Sequence, residues 1–374
     1  MKKIFLAIFL LSALALAAQD EHFLLIGTYT AGKSEGIYIY KFNTATAENS
    51  FVSVAKSSNP SFLTVSPNQK FVYAVNENAD STIVPPGGTI TAFAFNAANG
   101  TLTEINKKPS GGKHPCYISI NKSGEYIAVA NYTAGNIAMF PVAKDGSLGN
   151  TSQIIQHTGS SINSSRQTRP HVHYTHFSSN SFQLFATDLG TDKIMLYQAD
   201  PFTGVLTPGK QPFIKSQPGS GPRHMDFSKD NKFAYLLEEL SGTVVTFKNK
   251  NKKLQFIQRL STLPADYKGE TGSADIHVSP NGKFLYCSNR GNANNISIFS
   301  IDAVSGKLTL TGHQSTFGKT PRNFNFDPSG NFLLVANQNT NDIVIFKIDT
   351  HTGLLTDTGK KINVPNPVCL KWIK

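Results

Sequence analysis

Pro60-Ser-Phe-Leu-Thr-Val-Ser-Pro67, Pro222-Arg-His-Met-Asp-Phe-Ser-Lys229 and Pro321-Arg-Asn-Phe-Asn-Phe-Asp-Pro328 are three renderings of one phrase. Each opens on proline, alternates polar with apolar residues and closes in a turn, which is the period-two signature of a half-buried strand. Pro115-Cys-Tyr-Ile-Ser-Ile120 and Ser273-Ala-Asp-Ile-His-Val278 fit the same frame. A second apolar run then starts on an aromatic residue at constant spacing, at Phe71, Tyr126, Phe233, Phe284 and Phe332, with Phe23 and Phe182 in two irregular units. Asn281-Gly282 and Ser329-Gly330 join the first two runs, as tight hairpins require. A third run reads Ile90-Thr-Ala-Phe93, Ile194-Met-Leu-Tyr197, Ile296-Ser-Ile-Phe299 or Ile343-Val-Ile-Phe346. A fourth follows a glycine and a leucine, as in Gly100-Thr-Leu102, Gly204-Val-Leu206, Gly306-Lys-Leu308 and Gly353-Leu-Leu355.

Four strands repeated every fifty or so residues make a propeller blade. Counting second strands predicts an all-β, seven-bladed β-propeller over residues 19–374. The first unit starts directly on a second strand, and the chain ends on an unpartnered first strand, Pro367-Val-Cys-Leu-Lys-Trp372. The C-terminal strand is therefore expected to complete the N-terminal blade, covering a sheet edge and closing the ring without a covalent bond.

Residues 1–18 read as an export signal. Lys2 and Lys3 precede an apolar run from Ile4 to Leu16, and Ala15-Leu16-Ala17 supplies small residues for cleavage after Ala17 or Ala18. The run is short for a membrane span, and no membrane association is expected after cleavage. Net charge is +11, with 39% hydrophobic and 16% charged residues, which excludes a disordered chain. Basic residues are scattered apart from Lys248 to Lys253, a predicted hairpin turn, and no nucleic-acid motif accompanies them. Cys116, Cys287 and Cys369 lie in apolar runs and are expected as buried thiols.

First and second strands of a blade run antiparallel, so the start of one lies beside the end of the other on one face of the ring. Polar residues gather at both places. Second strands end in Asn76-Glu77, Asn131-Tyr132, Thr187-Asp188, Glu238-Glu239, Asn289-Arg290 and Asn337-Gln338, and first strands begin near His114, His171, His173, Arg223 and Arg322. Asn after a strand is common turn chemistry. Charges near a crowded axis are not, since they seldom sit there unpaired. A funnel of carboxylates, guanidiniums and imidazoles suits a small polar anion. Ser81 to Gly88 and Ser160 to Arg169 read as long loops, either bordering this funnel or decorating the rim.

Gly221-Pro-Arg-His-Met-Asp-Phe227, Tyr235-Leu-Leu-Glu-Glu-Leu-Ser-Gly-Thr-Val244 and Ser288-Asn-Arg-Gly-Asn292 resemble the signatures of the propeller lactonases, a family of bacterial 6-phosphogluconolactonases and fungal carboxymuconate lactonising enzymes. Ile26-Gly-Thr-Tyr-Thr30 and Pro170-His-Val-His173 also fit. The resemblance spans essentially all of residues 19–374 and implies a carboxylic ester hydrolase needing no cofactor and no metal. It implies a catalytic group of His173, Arg223, Glu239 and Arg290, with His171 the alternative imidazole and Asn131 and Asn337 as supporting amides. The implied partner is a small anionic or sugar lactone. Glu239 or His173 could act as base, Arg223 as oxyanion or anion clamp, and Arg290 as anion clamp.

A lactonase of the pentose phosphate route works in the cytosol, whereas this N-terminus reads as exported. An unphosphorylated aldonolactone or another anionic lactone is thus a second substrate class. Three other readings stay open on sequence alone. A cycloisomerase of an unsaturated diacid would use the same groups, a binding propeller would use none, and His157, His171, His173 and His176 could hold a metal.

Overall fold

The computed structural model describes residues 20–84 and 86–373; the expected export signal lies outside them. The described strands form seven four-stranded sheets, paired antiparallel throughout. The inner strands are Pro367–Ile373, Leu63–Val65, Pro115–Ile120, Val172–Phe177, Pro222–Phe227, Ser273–Val278 and Pro321–Phe326, taken as blades one to seven. Each touches the next and the last touches the first, closing a ring. No helix among the described residues is long and apolar enough to cross a membrane.

The ring closes as the sequence predicts. Pro367–Ile373 pairs antiparallel with Glu21–Thr28, placing Leu24 opposite Trp372 and Ile26 opposite Leu370. The strand feeds two cores at once. Cys369 packs with Leu63 and Val72 of blade two, and Leu370 packs with Leu334 and Ile345 of blade seven. Covering the edge of Glu21–Thr28 in this way leaves no gap in the ring where the two ends of the chain meet.

Two sequence markers meet across the blade interfaces. The aromatic that opens a second strand lies against the glycine that precedes the fourth strand of the next blade. A Cβ on Gly146 would sit 2.3 Å from the Phe71 ring, on Gly204 2.3 Å from Tyr126, on Gly306 2.3 Å from Phe233, and on Gly353 2.5 Å from Phe284. Gly100, which meets Phe23 in the same way, and these four glycines have φ between 66° and 84°, a region open to glycine at little cost. Blade four breaks the pattern. Its second strand begins at Gln183, and Phe182 is exposed rather than part of the lock. The next blade carries Lys252 where the glycine would stand, and the Gln183 amide donates to the Lys252 carbonyl at 3.3 Å. A polar pair has replaced an aromatic–glycine pair on both sides of one interface.

Lys248 to Lys253 lie at the hairpin joining Thr243–Lys250 to Lys253–Ser261. Cys116, Cys287 and Cys369 are buried and unpaired.

Candidate active site

Two backbone devices aim side chains at one end of the central channel. The first is a bulge near the start of the inner strand. Register shifts fall there in six blades, between Pro115 and Tyr117, Val172 and Tyr174, Pro222 and His224, Ser273 and Ile276, and Pro321 and Asn323, and at the Gly27/Thr28 step opposite Pro367. A bulged residue leaves the ladder and is re-aimed. Cys116, His173, Arg223, Arg322 and Val368 are such residues, and with Ser61 they line a central cavity of about 10 Å³, closed below by Phe62, His224 and Asn323.

The second device is the residue that follows the last regularly paired position of each second strand. Its backbone N–H is tied to the carbonyl that precedes the inner strand: Tyr29 to Asn366, Glu77 to Asn59, Tyr132 to His114, Leu189 to His171, Glu239 to Gly221, Arg290 to Gly272 and Gln338 to Thr320. Side chains alternate along a strand, so the residue before each of these faces the other way.

Glu239 is the hub. Its Oε2 accepts from Arg223 Nε at 2.8 Å and lies 3.0 Å from an Arg290 guanidinium nitrogen, while Oε1 accepts from Arg166 at 2.7 Å. Arg223 and Glu239 are 1% and 5% exposed. Arg223 also donates to the Ala274 carbonyl, and Arg290 Nε donates to Gly272 O at 2.9 Å. Burial alone would raise the Glu239 carboxyl; the charges of Arg290, Arg223 and Arg166 overcome it and hold the group well below the usual carboxylate range. A carboxylate so strongly stabilised is a poor proton acceptor at neutral pH.

His173, by contrast, is engaged in no ion pair among the described residues. It is 5% exposed and its Nδ1 has no hydrogen-bond partner. Burial, then the charges of Arg223, His224 and Arg322, hold its pKa well below 6.5, so the imidazole is neutral at pH 7. Its ring meets Tyr132 and His224 edge to face at 5.5 and 5.3 Å. From blade seven Arg322 donates to the Tyr29 hydroxyl at 2.8 Å, Tyr29 donates to Glu77 at 2.8 Å, and Ser61 donates to the same carboxylate. Deeper in the channel Asp275 bridges His224 at 2.8 Å and His277 at 3.0 Å.

The structure thus brings His173, Arg223, Glu239 and Arg290 to one end of the channel. Asn131 and Asn337 require a correction. Asn131 Nδ2 donates to Ser110 O and Asn136 Oδ1, and Asn337 Nδ2 donates to Thr316 O and Asp342 Oδ1. Both amides are fully buried within their blades and stitch the strand to the inter-blade linker; the mouth-facing position is the following residue. His171 is a support as well, stacked on Tyr132 at 4.4 Å with Nδ1 3.1 Å from the Tyr132 carbonyl.

Arg166, Tyr132 and Glu77 escape the sequence reading as site residues. Arg166 sits in the Ser160 to Arg169 loop and reaches Glu239 and Tyr132, so that loop borders the funnel. The histidines do not assemble. His157 lies between Asp188 at 2.9 Å and Tyr197 at 3.0 Å, and His176 is stacked on Tyr174 and Phe227. Among the described residues no group of three or more His, Cys, Asp or Glu is placed to hold a metal ion. The surface cleft of about 520 Å³ beside Lys33 and Asn366 contains no carboxylate or imidazole.

Comparison with known proteins gives a coherent answer. Residues 23–372 match the family described as lactonase, 7-bladed beta-propeller. A 6-phosphogluconolactonase of Formosa agariphila is 41% identical over 84% of this chain and 89% of its own length. The 6-phosphogluconolactonase of Bacillus subtilis is 36% identical over 93% of this chain and 97% of its own. The periplasmic gluconolactonase of Pseudomonas aeruginosa superposes with a TM-score of 0.90 at 38% identity, over 95% of this chain and 99% of that one.

Proposed function

The chain belongs to the lactonase family of seven-bladed β-propellers, and on that premise we propose that it hydrolyses a sugar lactone, of the aldonolactone or 6-phosphogluconolactone type, to its acid. The observation that carries the proposal is the neutral, unpartnered His173 imidazole lining the same cavity as Arg223, whose side chain is held by Glu239.

The central cavity has room for about one water and none for a sugar. The lactone ring therefore lies across the mouth, with its carbonyl carbon turned toward the channel. His173 takes a proton from water as the water oxygen bonds to that carbon. The carbonyl oxygen becomes an oxyanion, which Arg223 stabilises with Arg290 beside it. On collapse the bond from the carbonyl carbon to the ring oxygen breaks, and the imidazolium returns its proton to the departing oxygen. Glu239 makes no bond to substrate in this scheme; it neutralises and aims the arginines.

We place the protein outside the cytoplasm, because residues 1–18 read as an export signal and a structural relative is a periplasmic gluconolactonase. The test is proton release by the chain from residue 19 onward, offered a panel of sugar lactones with and without phosphate. Turnover of none of them would sink the proposal.

A further inference from the structure

Four guanidiniums surround the mouth, those of Arg166, Arg223, Arg290 and Arg322. Three of them share the Glu239 carboxylate. Arg322 does not. It reaches the site from blade seven, beside the blade that carries Arg290, lines the same cavity as Arg223, and has as its one hydrogen-bond partner among the described residues the Tyr29 hydroxyl at 2.8 Å, with its guanidinium 5.3 Å from the Tyr29 ring centroid. The nearby Glu77 carboxylate accepts the Tyr29 and Ser61 hydroxyls on its Oε2 and forms no ion pair with Arg322. A guanidinium carries five donors, so most of those on Arg322 are unspent. The group lines the same cavity as His173, whose buried Nδ1 is also without a partner. A charge placed beside a buried polar atom with no partner marks a site built for something else to complete.

Resting on the lactonase reading, we propose that Arg322 is a specificity-determining residue. It receives a second anionic group of the substrate, a phosphate ester or a carboxylate, on donors that no carboxylate of the site takes up, and makes the site prefer anionic sugar lactones to neutral ones. The planar fork of arginine suits either oxyanion. The cation lies over the Tyr29 ring, and the bulge that turns it out of the ladder lies between Pro321 and Asn323. The oxyanion then falls to Arg223 and the distal group to the remaining donors of Arg322.

The stable acids serve as probes: gluconate, glucarate and 6-phosphogluconate differ at the distal carbon, which carries a hydroxyl, a carboxylate or a phosphate. Calorimetry on the wild-type chain should find 6-phosphogluconate or glucarate bound at least about tenfold tighter than gluconate; which of the two binds tighter separates the two sources of the charge. Arg322→Gln should reduce that preference by roughly thirtyfold or abolish it, the scale expected when one partner of a buried charge pair is removed. Arg322→Lys, which keeps the charge without the fork, should retain part of it and carries the comparison if the glutamine variant does not fold. Equal binding of all three acids by the wild type, or a preference that survives Arg322→Gln, overturns the proposal. Lactone turnover is scored separately: selective binding with no hydrolysis sinks the lactonase reading and leaves the role of Arg322 standing.

Discussion

Arg223 and Glu239 meet at 2.8 Å, the arginine from the bulge of one strand and the glutamate from just beyond the end of the next strand of the same blade. Neither position is held by side-chain chemistry alone. The Glu239 backbone is tied to Gly221 at 2.7 Å and Arg223 is anchored on Ala274 of the neighbouring blade. The pair therefore joins two blades as well as arming the site.

Removing the hub should cost both fold and function. Glu239→Gln leaves three guanidiniums facing one another, and losing one partner of a buried ion pair costs about 3 kcal/mol or more. The expected outcome is a lowered urea midpoint together with at least about a hundredfold loss of kcat/KM. A variant as stable as wild type would show that the arginines do not depend on this carboxylate.

His173 makes a different prediction. Its Nδ1 has no partner to lose, so His173→Gln should leave the melting temperature nearly unchanged while kcat falls by about 10²–10⁴. Because its pKa is held below 6.5, the base is already free at neutral pH. The rate should be flat with pH above 6.5 and decline only as the pH falls below it. A limb centred above pH 7 would point to another base.

Stability should follow pH with a sign fixed by the channel. His224 and His176 are pushed down to about 3 and about 4 by burial, so between those values and 6.5 the unfolded chain binds protons that the native one refuses. Stability falls as pH drops below 6.5. Glu239 and Asp275 lie below their ordinary values of 4.5 and 3.8, and their contribution is lost as pH falls further through that range. His277, raised by Asp275 against the opposing effect of burial, offsets part of the first loss. Urea midpoints between pH 7.5 and 4 should descend monotonically; a maximum near pH 5 would contradict the assignment.

The blade interface can be tested with two glycines of the same backbone conformation. Gly306 (φ 70°) would set a Cβ 2.3 Å from the Phe233 ring, whereas Gly359 (φ 71°) has nothing within 4 Å. Gly359→Ala should cost about 1 kcal/mol, the price of the left-handed conformation alone. Gly306→Ala should cost about 3 kcal/mol, since the ring must also move. Equal losses in chemical denaturation would mean that the aromatic–glycine contact contributes little.

Much of this molecule is written locally. Alternation, opening prolines, strand-initial aromatics and hairpin glycines depend only on neighbours in the chain, so blade number, strand order and the C-terminal closure follow from the sequence. Arg223, Glu239 and Arg290 are also legible, because charge at strand ends near a crowded axis is conspicuous. Phe182 misleads because the position facing Lys252 across the blade interface is taken by Gln183, a contact that no single segment reveals.

What the tertiary structure alone decided is which residue of each strand end faces the axis. A ladder reverses its side chains at every residue, so Asn131 and Asn337 turn into their blades while Tyr132 and Glu239, one position past the strand, turn to the mouth. A bulge, invisible in the local pattern, re-aims His173 and Arg322. Arg166 reaches Glu239 from a loop separated by 73 residues, a meeting set by ring closure and not by any periodicity. Sequence specifies the blades because strand formation is local; the site is decided by the fold because its charges come from different blades and balance only where the ring brings them together.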